Sequence, residues 1–252
     1  RLDRNERVTN FDPVEMQDIF NKFKGYSLSA SPEASSLYRK LSEYLSYPTE
    51  NIFITCGITE GIRILYDYCT YPGDNIICLD PTYPMYKIYA EMYNIDYRKL
   101  EYNPETLEPI MNTLYAQLDD KTRFVIVPNP NLPIESCFKI DEITEILNIC
   151  KKNNTVLIVD EAYYYWGSPS AMHLLKNYDN LILFRTFSKV YGLAGLRIGF
   201  MVSNKDIINY VSKSRSIVES NTLSMGIAEY MLDHPKYKND HIAQVKKGAK
   251  FL

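Results

Sequence analysis

Residues 155–189 read TVLIVDEAYYYWGSPSAMHLLKNYDNLILFRTFSK. Two short apolar runs, 155–159 and 181–184, are each closed by polar residues: Asp160 after the first, Arg185-Thr186 after the second. Short runs without polar alternation are what a strand needs when helices cover both of its faces. Working outward, the same texture recurs at 51–55, 75–79, 122–128 and 198–202, and 95–100 reads as a further short strand. Between these runs lie stretches with helical spacing of apolar residues at 59–69, 84–93, 141–151, 205–213 and 222–234. Two further helices are expected at 13–24, after the Asp12-Pro13 cap signal, and at 33–45, where Leu37, Tyr38, Leu41 and Leu45 share a face. The alternation predicts an α/β fold of three layers, α/β/α, with a mostly parallel sheet.

Composition narrows the function. A chain of 252 residues has room for one large domain or two small ones. Hydrophobic residues at 46% and charged residues at 23% exclude disorder, collagen and coiled coil as descriptions of the whole. A net charge of −3, from 28 basic and 31 acidic residues, gives no support for a nucleic-acid partner. No apolar run approaches the ~18 residues of a membrane span. The opening RLDRNERV has no signal-peptide apolar region, and it lacks an initiator Met, as expected after a trimmed segment. Five scattered cysteines without a C-x-x-C pair read as reduced core thiols of a cytoplasmic protein. With only three histidines, neither a metal site nor a histidine-based triad is expected. Most of the 22 tyrosines are packing or surface residues, leaving one or two to stack on a flat ligand.

In a parallel sheet, ligands bind at the carboxyl ends of the strands. The polar residues expected there are Gly57-Ile58-Thr59, the 129–135 cluster, Asp160 with Glu161 and Tyr163, and Thr186, Ser188 and Lys189. A lone Asp is more often a cap and a lone Lys a solvated charge. In combination they say more. A carboxylate at the end of a buried strand needs a cationic partner, and a protonated ring nitrogen is one. A lysine near a cation in a desolvated pocket is a Schiff-base former, and Arg197 can supply that charge and grip a phosphate. Gly57 ahead of a helix lets backbone N–H groups approach a phosphate. The Gly192, Gly195 and Gly199 spacing is not a dinucleotide fingerprint and precedes a strand. A phosphate cradle, a carboxylate and a lysine together match pyridoxal phosphate.

At these residues the chain resembles the fold-type I pyridoxal-phosphate enzymes of the class I and II aminotransferases, and most of all their histidinol-phosphate aminotransferase branch. The resemblance covers almost the whole chain. Leu2-Asp3-Arg4-Asn5-Glu6 resembles that branch's opening, and Pro32-Glu33-Ala34 with Leu37 its segment before the first large-domain helix. Gly57-Ile58-Thr59-Glu60-Gly61 resembles its phosphate loop and Asp80-Pro81-Thr82-Tyr83 its ring-packing tyrosine. Asp160-Glu161-Ala162-Tyr163, Thr186-Phe187-Ser188-Lys189 and Ala194-Gly195-Leu196-Arg197 are the most specific matches.

The resemblance implies roles. Lys189 holds the cofactor covalently and shuttles a proton; Asp160 keeps the ring nitrogen protonated; Tyr163 bonds the ring hydroxyl. Tyr83 packs on the ring, while Thr59, Thr186, Ser188, Arg197 and the backbone at Ile58 hold the phosphate. It further implies transfer of an amino group between a small amine or amino acid, plain or phosphorylated, and a 2-oxo acid, in a homodimer. Three departures stand out. The family's N-A-P-T-G or N-N-P-T-G stretch reads Asn131-Leu132-Pro133-Ile134-Glu135, so either Asn131 reaches the ring hydroxyl or Leu132 occupies that place. The Tyr-Pro-Asp-Pro segment reads Ser29-Ala30-Ser31-Pro32, which weakens a subunit-crossing contact. Asn5-Glu6 is followed by Arg7-Val8.

These departures keep two alternatives in view: a decarboxylase of a phosphorylated amino acid, and a non-catalytic cofactor-binding relative. The domain expectation is an N-terminal segment at 1–34, a cofactor-binding large domain at 35–235, and at 236–252 the start of a connection to a small domain largely missing from this sequence. That missing part is where the family normally carries the arginine for the substrate's carboxylate or phosphate.

Overall fold

All seven expected strands form: β1 (Ile52–Thr55), β2 (Asn75–Asp80), β3 (Asp96–Glu101), β4 (Thr122–Pro128), β5 (Val156–Asp160), β6 (Leu181–Thr186) and β7 (Gly199–Val202). The computed structural model describes residues 4–21, 23 and 32–251. Leu2-Asp3, Lys24 and Ser29-Ala30-Ser31, on which some sequence expectations fall, lie outside the described residues. The strands make one sheet in the order β1-β7-β6-β5-β4-β2-β3. Pairs from β6 through β3 are parallel, and β7 is antiparallel to both its neighbours. The expected mostly parallel sheet is what forms.

Alternate residues of each strand face opposite layers. Ile54, Leu79, Val127, Leu157, Leu183 and Val202 point into one core. There they meet α2 (Ser35–Leu45), α6 (Ile140–Lys152) and α8 (Thr222–Asp233) through Leu41, Ile146 and Met231. Phe53, Cys78, Ile126, Ile158, Phe184 and Met201 point the other way. They pack on α3 (Ile58–Cys69), α4 (Met85–Met92) and α7 (Lys205–Val211) through Leu65, Tyr86 and Ile208. With both faces covered, no strand can afford polar alternation, except β3 at the edge, whose Asp96, Lys99 and Glu101 are exposed.

One expected helix is shorter than its pattern, and one helix has no counterpart among the expectations. The first helix is α1 (Pro13–Asn21), started by Asp12, whose Oδ1 accepts from Val14 N at 2.8 Å. Ile19 is its buried residue, whereas Val14 and Phe20 are 74% and 47% exposed, so its apolar side is only partly core. The short α5 (Met111–Gln117) was not expected: Leu114 is its sole buried residue, and it has no side-chain cap. α9 (Pro235–Ala249) occupies most of 236–252 and rests on α8.

The seam between α3 and the sheet is tight at Gly61. A Cβ there would lie 2.6 Å from Cε1 of the fully buried Phe184 and 3.4 Å from Met201. Gly→Ala inside a helix ordinarily gains up to ~1 kcal/mol from propensity. Here the ring cannot retreat, and overpacking costs ~1–3 kcal/mol. Gly61→Ala is therefore expected to lower stability by about 1–2 kcal/mol net, read as a lower urea midpoint at unchanged slope.

Candidate active site

β1, β2, β4, β5 and β6 all end at the same border of the sheet, and β7 begins there. Gly199 is in register with both Thr55 and Thr186, while Asp160 is in register with Pro128 and Phe184. The loops carrying the candidate residues are thereby held side by side.

One half is a cradle. Gly57, at φ +80°, precedes α3, and no side chain caps that helix. α7 and α8, by contrast, are capped by Asn204 and Asn221, which accept from Ile207 N and Ser224 N at 2.9 Å each. The first N–H groups of α3 and its positive end thus face the border of the sheet. Arg197, itself in the left-handed region at φ +51°, lays its guanidinium against Gly57, where a Cβ would sit 2.6 Å from Nη2. The same guanidinium donates to Ser188 Oγ at 3.4 Å and to Ala194 O at 3.1 Å. Gly199 closes the back: a Cβ there would lie 3.1 Å from Ile58 N and 2.9 Å from Arg185 O. Thr186 Oγ1 accepts from Ser188 N at 3.0 Å, shaping the turn that leads to Lys189.

A series of contacts leads from the cradle to the acid. Thr59 Oγ1 and the Tyr83 hydroxyl are 3.1 Å apart, and the Tyr83 ring meets Tyr86 edge-on at 6.0 Å. Tyr86 donates to Asp160 Oδ2 at 2.6 Å, and Ala162 N donates to Oδ1 at 2.9 Å. Asp160 is 6% exposed. Burial pushes its carboxyl up to about 6, against the opposing pull of those two donors and of the Lys189 charge. Next to it, Glu161 has the opposite solution. Its carboxylate accepts from Arg185 Nε and Nη2 at 2.9 and 2.8 Å, from Ser170 Oγ at 3.0 Å and from Ala171 N at 2.7 Å. Glu161 is cancelled by a buried cation; Asp160 has neutral donors.

Lys189 stands at the mouth. Its Nζ donates to Arg4 O at 2.7 Å and lies 5.3 Å from the centre of the Tyr163 ring. Asn5 Nδ2 donates to the Tyr163 hydroxyl at 3.4 Å. In front of Lys189 and Tyr163 opens a cleft of about 590 Å³, with Leu132, Glu135, Trp166 and His241 among its walls.

The structure thus brings together Ile58, Thr59, Tyr83, Asp160, Tyr163, Thr186, Ser188, Lys189 and Arg197. It does not bring in Asn131. That side chain is fully buried: Nδ2 donates to Pro81 O at 3.0 Å and to the Tyr102 hydroxyl at 2.7 Å, and Oδ1 accepts from Thr82 Oγ1 at 2.5 Å. With its amide spent on the loop scaffold, Asn131 is turned from the cleft, and Leu132 lines it instead. Tyr86 is the residue that sequence reasoning missed. Its one available signal was its place three residues after Tyr83 on the expected helix. Among the described residues, no group of His, Cys, Asp and Glu is arranged to hold a metal ion, and no helix is long and apolar enough to cross a membrane.

The chain is similar to known proteins. The family model for aminotransferase class I and II matches residues 8–251. The chain belongs to that family. More particularly, it is 31% identical over 207 residues to the histidinol-phosphate aminotransferase of Francisella philomiragia, a match covering 81% of this chain and 55% of that protein. The chain thus spans little more than half the length of that relative. Among solved structures, the histidinol-phosphate aminotransferase of Clostridium acetobutylicum superposes with a TM-score of 0.85 at 21% identity, over 98% of this chain and 73% of the other. That of Sinorhizobium meliloti, solved in complex with pyridoxal-5'-phosphate, gives 0.83 at 20% identity, over 97% and 67%. These two likenesses establish the fold.

The buried carboxyl has a consequence for the ligand-free protein. Raised from 3.8 to about 6, Asp160 favours folding in its protonated form. That contribution is complete below pH 3.8 and is lost as pH rises through about 6. At ~1.4 kcal/mol per unit of pKa, the loss is roughly 3 kcal/mol. Asp160→Asn is expected to abolish this part of the pH dependence; denaturant titrations of both proteins from pH 4 to pH 7 would measure it.

Proposed function

We propose that this chain is the cofactor-binding part of a pyridoxal-phosphate aminotransferase that moves an amino group between a small amine or amino acid and a 2-oxo acid. The observation that carries the reading is the placement of Asp160 and Lys189 at one border of the sheet, beside the cradle of Gly57, Ser188 and Arg197. The residues fit the group. A buried carboxylate held by neutral donors keeps its charge for a cationic ring nitrogen. The cradle combines an uncapped helix N-terminus with a planar guanidinium, at a glycine whose Cβ would collide with it.

In this reading the backbone at Ile58, together with Thr59, Thr186, Ser188 and Arg197, holds the phosphate. Tyr83 flanks the ring, Asp160 keeps its nitrogen protonated, and Tyr163 donates to its hydroxyl. When bound, pyridoxal phosphate supplies an electron-poor ring that weakens the bonds at the amine-bearing carbon. Lys189 anchors the cofactor, and its amine takes and returns the proton at that carbon. Leu132 presents an apolar wall to the cleft. The chain's free cysteines accord with a cytoplasmic location. A homodimer completes the proposal, with residues 35–235 as its large domain.

Two measurements on the full-length protein test this. After incubation with pyridoxal phosphate and reduction by borohydride, wild-type protein should gain the cofactor's mass on the peptide containing Lys189, and Lys189→Ala should gain none. Transamination with an amino donor should fall by about 10³-fold in the same variant. An adduct on another lysine, or undiminished turnover in Lys189→Ala, would sink the assignment.

A further inference from the structure

We infer that Tyr86 is a positioning residue for the carboxylate of Asp160, fixing the direction in which that carboxylate meets the cofactor ring. This rests on the function proposed above. Tyr86 is fully buried among Ile62, Tyr66, Ala90 and Phe124 on the α3–α4 side of the sheet. A side chain that only filled this space would do so as Phe, because a buried hydroxyl without a partner costs ~1–3 kcal/mol. Its hydroxyl has a partner, Asp160 Oδ2, at 2.6 Å.

The helix carrying Tyr86 is itself fixed at this point. The Tyr66 hydroxyl of α3 donates to the Tyr86 backbone carbonyl at 2.9 Å, so the phenol cannot move along the sheet without breaking that bond. Asp160 then receives one donor on each oxygen, from two different elements: Tyr86 on α4 and Ala162 in the turn after β5. A carboxylate with one donor per oxygen cannot rotate about its Cβ–Cγ bond without losing both. Each oxygen keeps a further lone pair for a third group. Because both donors are neutral, the negative charge is oriented but not cancelled, in contrast to Glu161 beside it, which Arg185 neutralises. The other titratable groups bearing on Asp160 are Glu161, Lys189 in the turn after β6, and Cys78 on β2.

Tyr86→Phe removes the hydroxyl and keeps the ring. Its urea midpoint, measured without ligand, tells whether the fold survives, and Tyr86→Met provides a second apolar replacement. Borohydride reduction should still mark Lys189 in both variants. Pyridoxal-phosphate affinity, followed by the cofactor's absorbance, should fall about tenfold, as expected for a lost hydrogen bond to a charged group. The acid-side loss of affinity should also move to higher pH by about one unit, because a carboxylate deprived of a donor takes its proton more readily. A folded Tyr86→Phe protein with unchanged affinity and an unchanged pH profile would overturn the positioning role while leaving the proposed function intact. Absence of the Lys189 adduct in wild-type protein would overturn both.

Discussion

Asp160 places a carboxylate at the end of a strand that is buried on both faces, and much of the surrounding structure serves that charge. An ionised carboxylate taken out of water loses several kcal/mol of solvation unless donors or a cation replace it. Two adjacent acids meet this requirement in different ways. Glu161 turns to Arg185 and is neutralised, which ties the turn after β5 to the last residues of β6. Asp160 receives the Tyr86 hydroxyl and the Ala162 N–H, and has the Lys189 amine nearby. The first arrangement is complete in itself. The second leaves a net charge oriented towards the sheet border and ready for a cation.

The antiparallel β7 is what makes the cradle beside this acid possible. In a wholly parallel sheet the neighbour of β6 would also end at this border. β7 instead begins there, so that Arg197 and Gly199 enter next to Thr186 and Thr55. Gly199 allows the close passage of Ile58 N and Arg185 O, and Arg197 in the left-handed region turns its guanidinium back over Gly57. The positions of Gly199 and Arg197 are thus consequences of one strand reversal.

Most of the sheet was legible in the sequence because burial on both faces leaves an unmixed apolar run; the edge strand β3, which carries Asp96, Arg98, Lys99 and Glu101, is the exception. The larger helices were legible from their stripes. α5 was not, since a helix with one buried residue has no stripe to read. α1 was legible from its Asp12-Pro13 start signal and not from a buried stripe, since Val14 and Phe20 are exposed. Residues that sit directly after strands were placed at the sheet border by position alone. The choice between Asn131 and Leu132 was not available from sequence, because it depends on which side chain the Pro81 carbonyl, Tyr102 and Thr82 capture. Tyr86 lies 74 residues from Asp160, and no local pattern relates them.

The cleft in front of Lys189 joins distant parts of the chain, and the reason lies in how its lysine turn is packed. Arg7 covers Gly192, where a Cβ would come within 2.6 Å of its side chain. On the other side, the buried His241 of α9 has its Nδ1 2.7 Å from Val190 O. A carbonyl can only accept, so Nδ1 carries the proton and, in the neutral ring, Nε2 is left as an acceptor. Thr9 Oγ1 then donates to Gln244 Oε1 at 3.3 Å, joining the two covering segments to one another. The turn at 189–192 is thus clamped between residues 4–9 and α9, and both lend walls to the cleft through Asn5, Glu6, His241 and Val245. A rigid sheet supplies the acid and the cradle from below, while the space above the lysine is bounded by segments that contact each other directly. Changes in that shape can therefore arise from substitutions in α9 or residues 4–9 without disturbing the strand ends that position Asp160 and Lys189.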